Sequence, residues 1–275
     1  MKDDRIYPLT RWVAVLVVPV LVLAFIILYL LPERTTDYFA WTITPTMTPM
    51  MMGGGYLAGA YFFARVIGAR RWHHVAIGFP AISTFVWFMA VTTVLHYDRF
   101  NHSHPAFAAW LFLYALTPLL IPGLWWWNGR TDPHQPDPDD VLLPRSIRGL
   151  MLALGLINLV NGVLMLLSPA WFIPIWPWQL SPLTARIVGG WFALPGVVAL
   201  GVAVDGRWSA ARITLQSQML GIVLILLGVV RAWAEFDTMK ATTWIFVGGL
   251  SGLLLVVGGV YWGMERRGRS VGARD

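Results

Sequence analysis

Apolar residues in this chain form eight long runs that are separated by short polar segments. The runs cover residues 12–31, 47–67, 75–95, 106–127, 148–168, 186–204, 212–233 and 242–262, and none of the 14 acidic residues falls inside one. Each run is close to the roughly 20 residues that a helix needs to cross the hydrocarbon core of a bilayer. The pattern therefore predicts an all-α, polytopic integral membrane protein with eight transmembrane helices.

The first run is expected to remain as a span. It is about twice as long as the apolar region of a typical signal peptide, and the residues YLLPERTTDY at its end contain no small-residue cleavage site. We therefore count it as the first transmembrane helix.

The two halves of the chain resemble each other at a nearly constant spacing. An offset of 137 residues aligns Arg11, Trp41, Pro45 and Gly53 with Arg148, Trp178, Pro182 and Gly190, and an offset of 136 aligns Phe100 and Trp126 with Phe236 and Trp262. The tryptophan matches carry the most weight, because only 16 of the 275 residues are Trp. We predict two copies of a four-span unit, residues 1–128 and 145–275, joined by a Pro- and Asp-rich cytoplasmic linker, residues 129–144. An even number of spans returns the chain to the same side, so the repeats should be parallel.

A Pro-rich aromatic segment precedes the second span of each predicted repeat, DYFAWTITPTMTP in the first and PAWFIPIWPWQLSP in the second. Trp and Tyr favour the interface between membrane and water, so we expect short interfacial segments here. The glycine pairs that follow, Gly53 with Gly54 and Gly189 with Gly190, are expected to let each helix pack closely against a neighbour.

Composition and charge agree with a membrane protein. Of all residues, 57% are hydrophobic and 12% are charged, whereas about 25% are charged in soluble domains. Of the 20 Lys and Arg residues, 15 fall in the alternating segments that include both termini, so the positive-inside rule places both termini in the cytoplasm. Anionic headgroups then account for the net charge of +6, and we expect no nucleic-acid partner. The preference for Arg over Lys suggests a GC-rich bacterial genome, and we expect the protein to lie in a bacterial inner membrane.

The outer loop HYDRFNHSH, residues 96–104, holds the densest group of potential metal ligands: His96, Asp98, His102 and His104. Imidazole and carboxylate groups bind Zn²⁺ and other divalent ions, so one hypothesis is a metal site in this loop. The spacing matches no closed metal motif, and an ordinary solvated loop is the competing interpretation. The corresponding loop of the second half, AWAEFDTMKA, has no histidine.

Uncharged polar residues within the runs are a second group of candidates. Asn158, Asn161 and Gln218 could line a ligand pocket, or they could hydrogen-bond to a neighbouring helix. We keep both interpretations.

Two outer arginines are a third group. Arg186 and Arg231 could hold an anionic substrate or a lipid phosphate. Alternatively they form internal ion pairs, since Glu235 follows Arg231 by four residues. On the cytoplasmic side, His73 and His74 lie in a short turn, where we expect contact with lipid headgroups.

These observations leave three hypotheses for the biochemical function. The first is a non-catalytic structural or accessory protein that packs with a membrane protein partner, a second copy of itself or specific lipids. The second is a transporter or binder of an apolar or lipid-like small molecule. The third is a metal-binding protein or enzyme that uses the outer histidines. The sequence contains no nucleotide-binding or zinc-protease motif, no cofactor or catalytic residue is implied, and an enzyme is the least favoured class.

Overall fold

The computed structural model describes residues 2–137 and 140–272 of the chain. The described residues form an all-helical structure that is 79% helical and has no strands, so the predicted all-α class is confirmed. The α-helices are α1 Pro8–Phe25, α2 Thr35–Tyr38, α3 Met47–Gly68, α4 His73–Ala76, α5 Gly78–Leu95, α6 Pro105–Gly129, α7 Arg145–Leu167, α8 Pro182–Asp205, α9 Trp208–Arg231 and α10 Ala241–Gly272. A π-helical turn, Ile26–Leu30, extends α1, and 3-10 helices lie at Pro32–Arg34, Tyr97–Arg99, Pro169–Trp171, Ile173–Ile175 and Trp233–Glu235.

Seven helical segments of the described residues are long and apolar enough to cross a membrane, which fits the prediction of a membrane protein. They are Pro8–Leu30, His73–Leu95, Pro105–Gly129, Arg145–Leu167, Pro182–Asp205, Trp208–Arg231 and Ala241–Gly268. The predicted span at 47–67 corresponds to α3, which has 22 residues but contains three consecutive glycines, Pro49 and Arg65. For this reason α3 is less apolar than the seven segments above, and a membrane-spanning role for α3 remains a prediction.

The helices of the two halves of the chain are interleaved. Helix α3 packs against α1 of its own half and against α9 of the other half, and α8 packs in the same way against α7 and α5. Helices α6 and α10 pack on α5 and α9, the helices that precede them along the chain. The core therefore runs across both halves: the second half covers part of α3, and the first half covers part of α8.

Corresponding short elements of the two halves recur at the spacings found in the sequence. The 3-10 helices that begin at Pro32 and Pro169 start 137 residues apart. Those that begin at Tyr97 and Trp233 start 136 residues apart. Two short helical turns therefore recur at matching places in the two halves.

Two arginines that are 137 residues apart make matching contacts. Arg11 donates two hydrogen bonds to backbone carbonyls at the C-terminal end of α3, and Arg148 donates two to carbonyls at the C-terminal end of α8. The last carbonyls of a helix have no partner within it, and cationic side chains satisfy them. Arg11 thus links α1 to α3, and Arg148 links α7 to α8 in the same way.

Glycines allow the closest contacts between helices. A Cβ atom on Gly189 in α8 would lie 2.7 Å from the carbonyl oxygen of Gly162 in α7, and one on Gly53 in α3 would lie 2.8 Å from Cβ of Tyr29. No side chain fits at such distances without a shift of the neighbouring helix. The expectation that these two glycines permit close helix packing is confirmed.

The central tryptophans of the two aromatic segments are buried in the protein. Trp41 is 5% exposed and Trp178 is 2% exposed. Trp41 contacts Phe100 with ring centroids 5.0 Å apart, and the corresponding Trp178 and Phe236 are 5.1 Å apart. Aromatic side chains thus enclose these two rings within the protein, and the interfacial position of the segments stays a prediction.

Candidate functional site

A cavity lies between the two halves of the chain, and we call it the central cavity. Its volume is ≈ 160 Å³, and residues of α3, α5, α7, α8, α9 and α10 line it. Most of the lining is apolar, and the polar side chains in it are Asn158, Thr214, Ser217 and Gln218. An apolar cavity of roughly this volume accommodates a ring-sized molecule or a short length of hydrocarbon chain.

Two of the three predicted amide residues line the central cavity, Asn158 from α7 and Gln218 from α9. Asn158 Nδ2 donates to a carbonyl one turn earlier in its own helix at 2.9 Å, and Gln218 Nε2 donates to the Pro195 carbonyl at 3.5 Å. An amide oxygen accepts up to two hydrogen bonds, and these two oxygens receive none from the described residues. Asn161 is not part of the lining, and its Nδ2 donates to a carbonyl of its own helix at 2.8 Å.

The indole of Trp191 separates the central cavity from a second cavity, which we call the side cavity. The side cavity has a volume of ≈ 420 Å³ and lies among α1, α3, α5, α6 and α8. The walls of both cavities include Gly55, Gly59, Ile82, Trp191 and Leu194. The indole lies directly against Gly55 and leaves no space there for a Cβ atom. Its buried Nε1 has no hydrogen-bond partner among the described residues. Buried indole N–H groups usually have a partner, and this donor lacks one although its ring lies in the wall of both cavities.

The outer histidine candidates do not converge on one point. His102 Nε2 lies 2.7 Å from the carbonyl oxygen of Tyr97, and His104 Nε2 lies 3.0 Å from that of Asp37. The side chain of Asp98 is 81% exposed and pairs with the neighbouring arginine. Each of these three groups therefore has its own partner.

The fourth member of that group, His96, contacts Arg186. The Arg186 Nη1 atom donates to His96 Nε2 at 2.7 Å, and Arg186 Nε donates to the Leu166 carbonyl at 2.9 Å. Burial, followed by the positive charge of Arg186, lowers the pKa of His96. Arg231 is placed similarly, because its Nη1 donates to the Tyr29 carbonyl at 2.8 Å. Both arginines thus satisfy carbonyls at the end of the first helix of one half.

Glu235 does not pair with Arg231. Its carboxylate accepts hydrogen bonds from the backbone N–H groups of Thr46 at 2.8 Å and Met47 at 2.7 Å, and from the Thr46 hydroxyl at 2.6 Å. These groups lie at the N-terminus of α3, where a helix has N–H groups without partners and favours negative charge. A residue of the second half thus caps a helix of the first.

A buried polar cluster joins the N-terminal segment, α4, the linker and the start of α9. His73 is 1% exposed, with Nδ1 2.5 Å from Asp4 Oδ2 and Nε2 3.0 Å from Ser209 Oγ. Ser209 Oγ in turn donates to Asp140 Oδ2 at 2.5 Å. The expectation that His73 contacts lipid headgroups is wrong, because these partners enclose its ring.

His74 and Asp137 complete this group, which we call the histidine–aspartate cluster: Asp4, His73, His74, Asp137, Asp140 and Ser209. His74 Nε2 lies 3.1 Å from Asp137 Oδ2, and His73 Nε2 lies 3.7 Å from Asp137 Oδ1. Arg71 also pairs with Asp137. Among the described residues, His73, His74 and Asp137 form a group whose potential metal-ligand atoms all lie within 4.8 Å of one another. The adjacent histidines and the Asp-rich linker are both visible in the sequence, but no spacing motif connects them.

The order Asp4, His73, Ser209 has the residue types of a hydrolase triad, but its geometry does not fit nucleophilic catalysis. In a triad the serine proton is directed to the histidine. Here the hydroxyl of Ser209 donates to Asp140, and the 1% exposure of His73 leaves no space for a substrate beside the ring.

Comparison with known proteins assigns no family to the chain. No protein-family model matches it, and neither does a curated protein or a solved structure. The central cavity and the histidine–aspartate cluster are therefore interpreted from their geometry.

Proposed function

We propose that the protein binds an apolar or lipid-like small molecule in the central cavity, without catalysing its conversion. The observation that carries this proposal is the lining of the cavity. Asn158 and Gln218 of the second half line it together with residues of α3 and α5 of the first half. An apolar wall with a few polar groups is typical of small-molecule sites, where the apolar surface gives affinity and the polar groups fix orientation.

The two cavities together suit a chain-shaped ligand. The central cavity alone has a volume of ≈ 160 Å³, and the side cavity beyond Trp191 adds ≈ 420 Å³. A shift of the indole away from Gly55 would join them. The free Nε1–H of Trp191 and the amide oxygens of Asn158 and Gln218 would then bind the polar end of the molecule.

Native mass spectrometry of the protein, extracted gently from its own membrane, tests this proposal. The wild-type protein should carry a reproducible added mass. Leu250 lines the central cavity, so the larger side chain of Leu250→Trp would fill part of it and should abolish that added mass. Leu255→Trp on the same helix is the matched control, because Leu255 is 76% exposed, and it should keep the added mass.

The polar contacts are tested in the same experiment. Asn158→Leu keeps the size of the side chain and removes its acceptor, so the affinity should fall about twofold to tenfold, the effect of one hydrogen bond, and the bound fraction should fall with it. The proposal fails if the wild-type protein carries no more added mass than Leu250→Trp.

We also propose a finer membrane arrangement: eight spans as two parallel repeats, residues 1–128 and 145–275, in a bacterial inner membrane with both termini in the cytoplasm. Helix α3 would be the additional span that brings the count from seven to eight. It has 22 residues and packs between α1 and α9, which belong to segments long enough to cross a membrane. The matched 3-10 helices and the matched arginine contacts favour the repeat. The uneven distribution of Lys and Arg favours the orientation.

The absence of cysteine from the sequence makes this arrangement testable by single-cysteine labelling. Ser103→Cys in the outer loop should react with a membrane-impermeant maleimide in intact cells, and Gln135→Cys in the linker should react only after permeabilisation. Thr42→Cys and Arg70→Cys flank α3 and should label from opposite sides. Labelling of both from one side would exclude α3 as a span.

A second candidate function, that of a structural or accessory protein, is favoured by α10. Only 11% of the most apolar window of Ala241–Gly268 is buried, and Cβ atoms added to Gly248, Gly249 and Gly252 would meet nothing within 4 Å. Small residues on a membrane helix let a second helix approach closely. Gly249→Leu should therefore reduce the size of the native complex on a blue-native gel, and an unchanged size would contradict this role.

A further inference from the structure

The histidine–aspartate cluster lies at the start of the segment His73–Leu95, at the opposite end of that segment from the outer histidine loop. We propose that His73, His74 and Asp137 bind one Zn²⁺ ion, or a similar first-row divalent ion, in this cluster. The site is separate from the central cavity, so this inference does not rest on the proposed function.

The spacing of the ligand atoms fits a metal ion. Zinc binds imidazole nitrogen and carboxylate oxygen at about 2.0–2.2 Å, so two ligands of a tetrahedral ion lie about 3.3 Å apart. His74 Nε2 lies 3.1 Å from Asp137 Oδ2 and His73 Nε2 lies 3.7 Å from Asp137 Oδ1, so each histidine faces a different carboxylate oxygen. One ligand atom from each of the three residues lies within 4.8 Å of the others, and the side chains would move slightly closer together around a bound ion. Two imidazoles and one carboxylate leave the fourth position to water, as in other three-ligand zinc sites.

The carboxylate of Asp4 already orients His73 for this role. Asp4 Oδ2 lies 2.5 Å from His73 Nδ1, and a carboxylate that accepts the Nδ1 proton leaves the lone pair of Nε2 free to bind a metal. The Ser209 hydroxyl lies 3.0 Å from Nε2 and donates its proton to Asp140, so it does not satisfy that lone pair. A metal ion bound to Nε2 would satisfy it, and the hydroxyl would turn aside to make room for the ion.

The charges of the cluster also favour a cation. Asp4, Asp137 and Asp140 bring three carboxylates to the site, and Arg71 pairs with Asp137. A divalent ion would balance the remaining negative charge, and Arg71 would turn outward, since its side chain is 47% exposed.

The ion has a path from solvent. The side chains of His74 and Asp137 are 29% and 22% exposed, whereas His73 lies behind them. Because Asp137 belongs to the linker and the two histidines to α4, a bound ion would fasten the linker to the first half beside the start of α9.

Zinc binding to the full-length protein in detergent tests the proposal. The protein is stripped with a chelator and titrated with Zn²⁺ alone, and the readouts are bound zinc per chain and the melting temperature. The wild type should bind one Zn²⁺ and melt at a higher temperature, because a ligand of the folded state stabilises it. His74→Ala and Asp137→Asn should bind Zn²⁺ at least about 100-fold more weakly. This loss is larger than the one expected for a residue that only hydrogen-bonds to a metal ligand. The His102→Ala, His104→Ala double variant is the matched control and should bind like the wild type.

Two further variants separate a metal site from a purely ionic cluster. Asp4→Asn should weaken Zn²⁺ binding about 10- to 100-fold, the usual effect of losing a carboxylate that hydrogen-bonds to a metal-binding histidine. Arg71→Gln should strengthen binding, because it removes a competing cation. Each variant is first checked for a monodisperse, helical protein. The proposal is overturned if the wild type binds no Zn²⁺, if His74→Ala and Asp137→Asn bind it as well as the wild type does, or if Arg71→Gln weakens it as much as Asp137→Asn.

Discussion

The guanidinium of Arg207 makes two parallel hydrogen bonds to the carboxylate of Asp132, at 3.2 Å and 3.1 Å. Their side chains are 7% and 6% exposed, and Asp205 pairs with the same guanidinium. Burial alone would raise the pKa of Asp132, but the hydrogen bonds and the charge of Arg207 lower it overall. The pair therefore joins the linker, which contains Asp132, to the N-terminus of α9, which Arg207 directly precedes.

Arg207→Ala should therefore destabilise the protein strongly. Removing one partner of a buried ion pair leaves an uncompensated charge, which costs about 3–5 kcal/mol. The free energy of unfolding in mixed micelles measures this loss. The control is Arg5→Ala, because Arg5 and Asp3 form an exposed pair with side chains 66% and 53% exposed, and such pairs contribute only about 0–1 kcal/mol. Equal effects of the two variants would contradict the expectation.

Glu235→Gln should weaken the N-terminus of α3. The carboxylate accepts three hydrogen bonds there, and the loss of its charge and of part of its acceptor capacity should cost about 1–2 kcal/mol. The same unfolding measurement applies. Glu33→Gln, at an exposed position, should change stability by less than a third of that amount, and a larger change there would show a nonspecific effect of charge.

Gly189→Ala should loosen the contact between α7 and α8. The added Cβ would meet the Gly162 carbonyl oxygen at 2.7 Å and Met165 Cβ at 3.0 Å, and the required helix shift should cost about 1–3 kcal/mol. Gly248→Ala is the matched control, because nothing lies within 4 Å of its Cβ position, and alanine favours the helix. If both variants melt at the same temperature, the close contact does not stabilise the fold.

His96 should make stability depend on pH. Its pKa is lowered in the folded protein by burial and by Arg186, so below the usual value of about 6.5 the unfolded chain binds protons more readily than the folded one. This contribution is fully present above that value and is lost as the pH falls below it. The melting temperature should therefore fall more steeply between about pH 7.5 and 5.5 for the wild type than for His96→Gln. Parallel curves would exclude His96 as the source.

Hydropathy was sufficient to find the helices, because a long apolar run in a chain with few charges has few alternatives. It was weakest at α3, where glycines and Arg65 lower the apolar content although the segment is helical. The interleaving of the halves could not be predicted, since periodicity shows which face is apolar and not which helix covers it. Trp41 and Trp178 show the same limit, because the preference of Trp for an interface does not reveal enclosure by Phe100 and Phe236.

The candidate sites also show that closeness in the sequence does not predict closeness in space. The outer histidines lie close in the sequence, yet His102 and His104 bond to different backbone carbonyls. The histidine–aspartate cluster instead unites Asp4, His73 and Asp137, which are far apart along the chain. The sequence shows that Asn158 and Gln218 are polar positions in apolar helices, but only the packing shows that they share a cavity with residues of the first half.

The interleaved packing also determines the order in which the protein can be completed during synthesis. Helix α3 packs on α9, and α5 packs on α8, yet the ribosome makes α8 and α9 only after the whole first half and the linker. Chains fold from the N-terminus as they emerge, so α3 and α5 are made before the helices that later cover one face of each. A chain that stops after the linker would keep both faces uncovered.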